Sequence, residues 1–92
     1  PITFIAYNIE PIYRDSVIND WLGVDHSTID TIKMSSISAS RENIFDSRQQ
    51  YWKPKELGHP VGYQYPSDSR IYRKIAIYDS LGTRVLLYSW HE

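Results

Sequence analysis

The sequence contains no cysteine and few other residues that carry chemistry. Its 92 residues include three histidines and one methionine, and its apolar runs are short. The lack of cysteine excludes disulfides and thiolate catalysis, and the histidines do not have the spacing of a zinc site. The short apolar runs predict neither a transmembrane helix nor a signal-peptide core. We therefore expect a protein of the cytoplasm, or of a host cytoplasm, that has no membrane contact, metal or cofactor.

The composition predicts one small globular domain, residues 1–92. Hydrophobic residues make up 41% and charged residues 23% of the chain, as in ordinary soluble domains. The net charge is −1, but residues 1–30 carry five acidic side chains against one Arg, and residues 31–74 carry eight Lys or Arg against four acidic side chains. Such asymmetry is typical of a bipolar surface, or of charges that lie wherever the chain is exposed.

The first quarter of the chain predicts a strand followed by a helix. Residues 2–9 are β-branched and aromatic, which favours a strand. Residues 11–22 predict a helix with Pro11 at its first position and Gly23 as a left-handed stop. One apolar stripe of this helix is expected to face the core: Tyr13, Val17, Ile18, Trp21 and Leu22.

The remaining residues differ in how clearly their sequence pattern predicts secondary structure. Residues 25–38 fit a helix or a strand, and residues 41–52 fit a second helix. Prolines make most of residues 53–70 irregular, with a short edge strand at 61–65. The clearest signal is a C-terminal β-hairpin, 71–78/83–90, whose turn takes a positive φ from Gly82.

These elements together predict an α+β fold, with a three- or four-stranded, mainly antiparallel sheet and the C-terminal hairpin packed by helix 11–22. The expected core residues are Phe4, Val17, Trp21, Ile75, Ile77, Val85 and Leu87. If strand 83–90 lies at the edge of the sheet, its unpaired amides favour a symmetric homodimer through sheet extension.

Residues 48–74, which we call the basic-aromatic segment, combine cationic and aromatic side chains that could form a binding surface. Their rings and cations suit single-stranded nucleic acid, and the same residue types form the hot spots of protein interfaces. They also suit a loop whose rings pack on the sheet. The candidate binding residues are Arg48, Tyr51, Trp52, Lys53, Lys55, His59, Tyr63, Tyr65, Arg70, Tyr72 and Arg73.

Residues 15–33 resemble the turn of helix-turn-helix DNA-binding proteins. The apolar and glycine positions that match this family are Ile18, Leu22, Gly23, Val24, Ile29 and Ile32. The resemblance implies that Ser27 and Thr28 open a recognition helix, which in that family lies in the major groove.

The C-terminal hairpin resembles the last two strands of RelE/ParE-type toxins, small β-α-α-β-β-β proteins of which some cleave mRNA on the ribosome. The resemblance lies in Tyr72-Arg73, in the β-run that ends at Asp79, and in the run VLLYSWH that ends at His91. It implies that Arg73 stabilises the phosphorane and that His91 is the acid or base. Glu56, with Lys53 or Lys55, would complete this set.

The sequence thus predicts a small, non-enzymatic binding or regulatory protein, similar to an inhibitor, that occupies a macromolecular partner through residues 48–74 and the adjoining hairpin. A protein partner is expected first. The alternatives are a nucleic-acid-binding protein, through residues 15–33 or 48–74, and an endoribonuclease that uses Arg73, His91 and Glu56.

Overall fold

The chain folds into a helix packed on a four-stranded antiparallel sheet. Its structure is a computed structural model that describes residues 2–33, 56–66 and 71–91. The elements are β1 (Ile2–Asn8), α1 (Pro11–Leu22), a 3-10 helix (His26–Thr28), β2 (Pro60–Tyr65), β3 (Tyr72–Asp79) and β4 (Arg84–His91). The sheet has the strand order β1-β4-β3-β2, which confirms the α+β prediction. The predicted helix at 41–52 lies outside the described residues.

Helix α1 begins and ends where the sequence predicts. Pro11 occupies the first turn, and Gly23 takes the left-handed conformation at φ 75° while its N–H donates to the Asn19 carbonyl at 2.8 Å. Ile18 and Leu22 are buried. Tyr13, which was expected on the buried stripe, is 59% exposed. Arg14 packs against the sheet instead, and its guanidinium carbon lies 4.3 Å from the centre of the Tyr78 ring.

Strand β4 is an interior strand. It pairs with β1 on one side and with β3 on the other. The prediction of a homodimer through an edge strand at 83–90 is therefore wrong, because both rows of β4 backbone groups already have partners within the chain. The predicted edge strand 61–65 is confirmed, since β2 lies at one end of the sheet order.

Strands β3 and β4 are buried on both faces. Directly opposed residues of an antiparallel pair share a face, and successive residues alternate between faces. The α1 face buries Ala76, Val85 and Leu87 with Ile18 and Leu22. The opposite face buries Ile75, Ile77, Leu86 and Tyr88.

The predicted core is confirmed in part. Ile75, Ile77, Val85 and Leu87 are at most 4% exposed, whereas Phe4, Val17 and Trp21 are half-buried. The seven residues are divided between the two faces of the sheet. Ile75 lies opposite Tyr88 and Ala76 opposite Leu87, so the two isoleucines of β3 point away from α1.

Residues 15–33 do not form a helix-turn-helix. Between the end of α1 and residue 33, only His26–Thr28 are helical, as a single 3-10 turn, and Ile29 is extended. The Ser27 N–H and Oγ both donate to Asp25 Oδ1, at 3.0 and 2.8 Å, and these bonds lower the pKa of the Asp25 carboxyl. Asp25 thus closes a turn where the resemblance implied a recognition helix. Ile32 then forms an isolated antiparallel bridge with Gly62 of β2.

The turn between β3 and β4 is organised by Asp79. Its Oδ1 accepts the Leu81 N–H at 3.1 Å, and its carbonyl accepts the Gly82 N–H at 3.2 Å. The prediction of a positive φ at Gly82 is wrong, since only Gly23 has one among the described glycines. Glycine is needed for space, because a Cβ at Gly82 would lie 2.8 Å from Asp79 Oδ2.

We expect Gly82→Ala to lower the free energy of unfolding by about 1 kcal/mol, because the added methyl group displaces the Asp79 side chain from Leu81. The measurement is urea unfolding followed by circular dichroism. Gly58→Ala is the matched control, since nothing lies within 4 Å of a Cβ there. Equal effects of the two substitutions would contradict this account.

Candidate binding surface

One end of the sheet brings together several of the predicted binding residues. Tyr72 lies opposite His91 and Arg73 opposite Trp90, while Tyr65, the last residue of β2, lies opposite Lys74. We call this group the sheet-end surface: Tyr65, Ile71, Tyr72, Arg73, Lys74, Ser89, Trp90 and His91. All of these except Tyr65 line an open pocket of about 380 Å³.

The sheet-end surface is exposed because α1 stops short of it. Trp21, in the last turn of α1, has its ring centre 5.4 Å from Lys74 Nζ. Tyr72 and His91 form the next row toward the strand ends, beyond this contact. Ile71 is 62%, Tyr72 42% and Tyr65 39% exposed, so large apolar groups face solvent here.

The pocket lining carries positive charge. Arg73 and Lys74 are its permanent cations among the described residues, and the described lining residues include no carboxylate. The acidic residue of β3 itself, Asp79, lies at the opposite end of the strand, about 20 Å from Arg73 at the usual rise per residue. Chemically, the surface offers cations beside aromatic and aliphatic groups, which suits contact with an anionic and partly apolar ligand.

The structure places two other predicted binding residues, His59 and Tyr63, away from this end. His59 is exposed next to the β3–β4 turn, where its carbonyl accepts the Ser80 N–H at 2.9 Å. Tyr63 packs into the core on the α1 face. Six predicted residues lie outside the described part of the chain: Arg48, Tyr51, Trp52, Lys53, Lys55 and Arg70.

Tyr63 belongs to an aromatic and polar cluster beneath α1. Its ring meets His26 edge-on at a centroid distance of 4.9 Å and stacks with Tyr78 at 6.5 Å. Burial raises the pKa of the Tyr63 hydroxyl, and the charge of Tyr78, the hydrogen bond that the Tyr63 hydroxyl donates to Tyr78, and the charge of Asp15 raise it further. This environment fits a residue that stabilises the fold rather than one that meets a partner.

His26 joins this cluster to α1, a link that the sequence analysis missed. The Asn19 Oδ1 accepts the His26 backbone N–H at 2.9 Å and lies 2.6 Å from its Nδ1, so Nδ1 is the donor. His26 Nε2 lies 3.4 Å from Asp15 Oδ1. Asn19 and His26 are seven residues apart across a turn, a spacing that no local pattern marks.

Two of the proposed ribonuclease residues, Arg73 and His91, both line the sheet-end pocket. Arg73 lies opposite Trp90, whose side chain packs on the face away from α1. His91 lies opposite Tyr72, one position further along each strand, and therefore points to the other face. Glu56 precedes β2, whose first residue pairs with Asp79 at the far end of β3. The structure thus brings Arg73 and His91 to one end of the sheet and places Glu56 toward the other.

The chain was compared with known proteins, and no protein-family model, curated protein or solved structure matches it.

Within residues 2–33, 56–66 and 71–91, no three His, Asp or Glu side chains are placed to hold a metal ion. The same ranges contain no helix with the length and apolar character needed to span a bilayer.

We expect Tyr63→Phe to gain stability relative to the native chain in alkaline solution. A raised folded-state pKa means that Tyr63 stabilises the fold below the ordinary pKa of tyrosine, about 10, and loses this contribution as the pH rises through the folded-state value. Phe cannot ionise and keeps its packing. The measurement is urea unfolding of both proteins from neutral to alkaline pH. A difference that stays constant over this range would contradict the prediction.

Proposed function

We propose that this protein is a small, non-enzymatic binding protein that occupies a partner protein through the sheet-end surface. The observation that carries the proposal is the exposure of Ile71, Tyr72 and Tyr65 beside Arg73 and Lys74. Aromatic residues and Arg, grouped with an aliphatic side chain, are the residue types that dominate protein–protein binding energy.

The position of these groups also supports binding. Tyr65, Tyr72, Arg73 and Lys74 lie at the ends of paired strands, which hold them in place before a partner arrives, and Ile71 directly precedes β3. A surface that is already ordered loses less entropy on association. Residues 65 and 71–74 fall inside the basic-aromatic segment, and Ser89–His91 belong to the adjoining hairpin, as the sequence analysis expected.

We expect Ile71→Ser and Tyr72→Ser each to abolish capture of the partner. The full-length chain, its variants and a control are immobilised, exposed to lysate of the source cells and compared by quantitative mass spectrometry. Leu81→Ser is the matched control, because Leu81 is 76% exposed but lies in the β3–β4 turn. Since all three positions are exposed, their unfolding free energies should change little.

The proposal requires that a protein retained by the native chain and by Leu81→Ser be lost with both sheet-end variants. If every retained protein is also retained by Ile71→Ser and Tyr72→Ser, the sheet-end surface is not the binding surface. If Leu81→Ser also fails to retain these proteins, the native chain binds them through nonspecific hydrophobic contacts, and the proposal fails as well.

A further inference from the structure

Residues 24–32, which we call the strap, run from the end of α1 to the edge of β2. We propose that His26 makes the strap sensitive to pH: protonation of its imidazole stabilises the closed strap, and deprotonation favours local opening. The strap lies outside the sheet-end surface, so this property is independent of the proposed function.

Partly buried contacts hold the strap to the domain. Val24 and Ile29 pack against the α1-face cluster, and Ile32 packs against the cluster on the opposite face. The strap backbone joins the sheet through an isolated bridge, in which the Ile32 N–H donates to the Gly62 carbonyl at 2.9 Å. A segment of this kind opens at a lower free-energy cost than strands that are buried on both faces.

His26 contacts both α1 and β2 from the strap. The Asn19 Oδ1 accepts the His26 backbone N–H at 2.9 Å and lies 2.6 Å from its Nδ1. Nε2 lies 3.4 Å from Asp15 Oδ1, and the ring meets Tyr63 edge-on. The His26 side chain is only 11% exposed, so the imidazole leaves these contacts when the strap opens.

The two ring nitrogens of His26 respond differently to protonation. A neutral imidazole has one donor and one acceptor nitrogen. Because Nδ1 donates to Asn19, Nε2 of the neutral ring directs a lone pair toward the Asp15 carboxylate, and two acceptors form no hydrogen bond. A second proton makes Nε2 a donor and gives a charge-assisted contact with Asp15. The closed strap is therefore stabilised when His26 is charged.

A second carboxylate acts in the same direction. Asp25 precedes His26 in the strap, and the two side chains interact electrostatically. The hydrogen bonds from Ser27 lower the pKa of the Asp25 carboxyl, so Asp25 stays ionised in the range where histidine titrates. Asp25 adds negative charge beside His26 but does not itself supply a change of charge in that range.

The other groups that face this site also keep a constant charge. Burial raises the pKa of the Tyr63 hydroxyl, so Tyr63 stays neutral. Arg14, the cation of α1, lies over the Tyr78 ring, which stacks on Tyr63. Its positive charge opposes that of a protonated His26, whereas two carboxylates favour it.

The test measures amide hydrogen exchange of the full-length chain by NMR at about pH 5 and about pH 8, on either side of the histidine range. Exchange rates are corrected for their intrinsic pH dependence. The reporter is the Ile32 N–H, whose bond to Gly62 breaks when the strap opens. Its protection factor should fall about threefold as the pH rises, the size usual for an ion pair with an exposed partner, since the Asp15 side chain is 76% exposed.

The Ile77 N–H reports on the whole domain, because Ile77 lies opposite Leu86 in the buried centre of the sheet. Its protection should stay constant between the two pH values. A fall at Ile77 in the same ratio as at Ile32 would mean that the domain unfolds as a unit, and would overturn the proposal of local opening.

Variants assign the effect to the contact between Asp15 and His26. Asp15→Asn should fold normally, because Asp15 is exposed, and should make the protection of Ile32 independent of pH. His26→Gln should do the same, which separates His26 from the other histidines. Asp20→Asn is the matched control, since Asp20 is another exposed carboxylate of α1, and it should keep the native pH dependence.

Three results would each overturn the proposal. The first is equal protection of Ile32 at both pH values in the native chain. The second is a pH-dependent fall that persists in Asp15→Asn or in His26→Gln. The third is loss of the pH dependence in Asp20→Asn, which would show that the general charge of α1, and not this contact, controls the strap.

Discussion

Burial of β3 and β4 on both faces is the constraint on which the rest of this structure depends. Each strand lies between two others, and each contributes residues to both apolar clusters. At roughly 25 cal/mol per Å² of apolar surface, this two-sided burial is the main stabilising term available to so small a domain. It explains why the runs at 75–77 and 85–88 are apolar without alternation, since neither face of these strands meets water.

The same constraint positions the sheet-end surface. Helix α1 packs on the middle of the sheet and buries Ala76, Val85 and Leu87. Its last turn ends at the contact between Trp21 and Lys74. The row beyond, Tyr72 and His91, extends past the helix. The strands continue further than the helix that packs on them, and this end exposes Ile71, Tyr72 and Tyr65 beside half-buried Arg73 and Lys74.

The fold also sorts the aromatic residues of the basic-aromatic segment into two roles. Tyr63 and Tyr65 are two residues apart on β2 and point to the same face. Tyr63 lies under α1, where it meets His26 and Tyr78, while Tyr65 lies nearer the open end. One ring packs in the core beneath the helix, and the other is exposed. The two tyrosines differ in exposure because they lie at different distances from the helix, and not because of their sequence context.

Local chemistry by itself determined where α1 begins and ends, the hairpin of β3 and β4, and the α+β class, because Pro11, Gly23 and the β-branched runs act through neighbouring residues. It did not determine the strand order, the face to which Ile75 and Ile77 point, or the alternate faces on which Arg73 and His91 lie. Those depend on which strands pair and in what register, and pairing is decided by the burial of residues far apart in the chain. For the same reason, residues 48–74 indicated a binding segment, but only the tertiary structure decided that exposed Tyr65, Ile71 and Tyr72 lie at one end of the sheet and exposed His59 at the other.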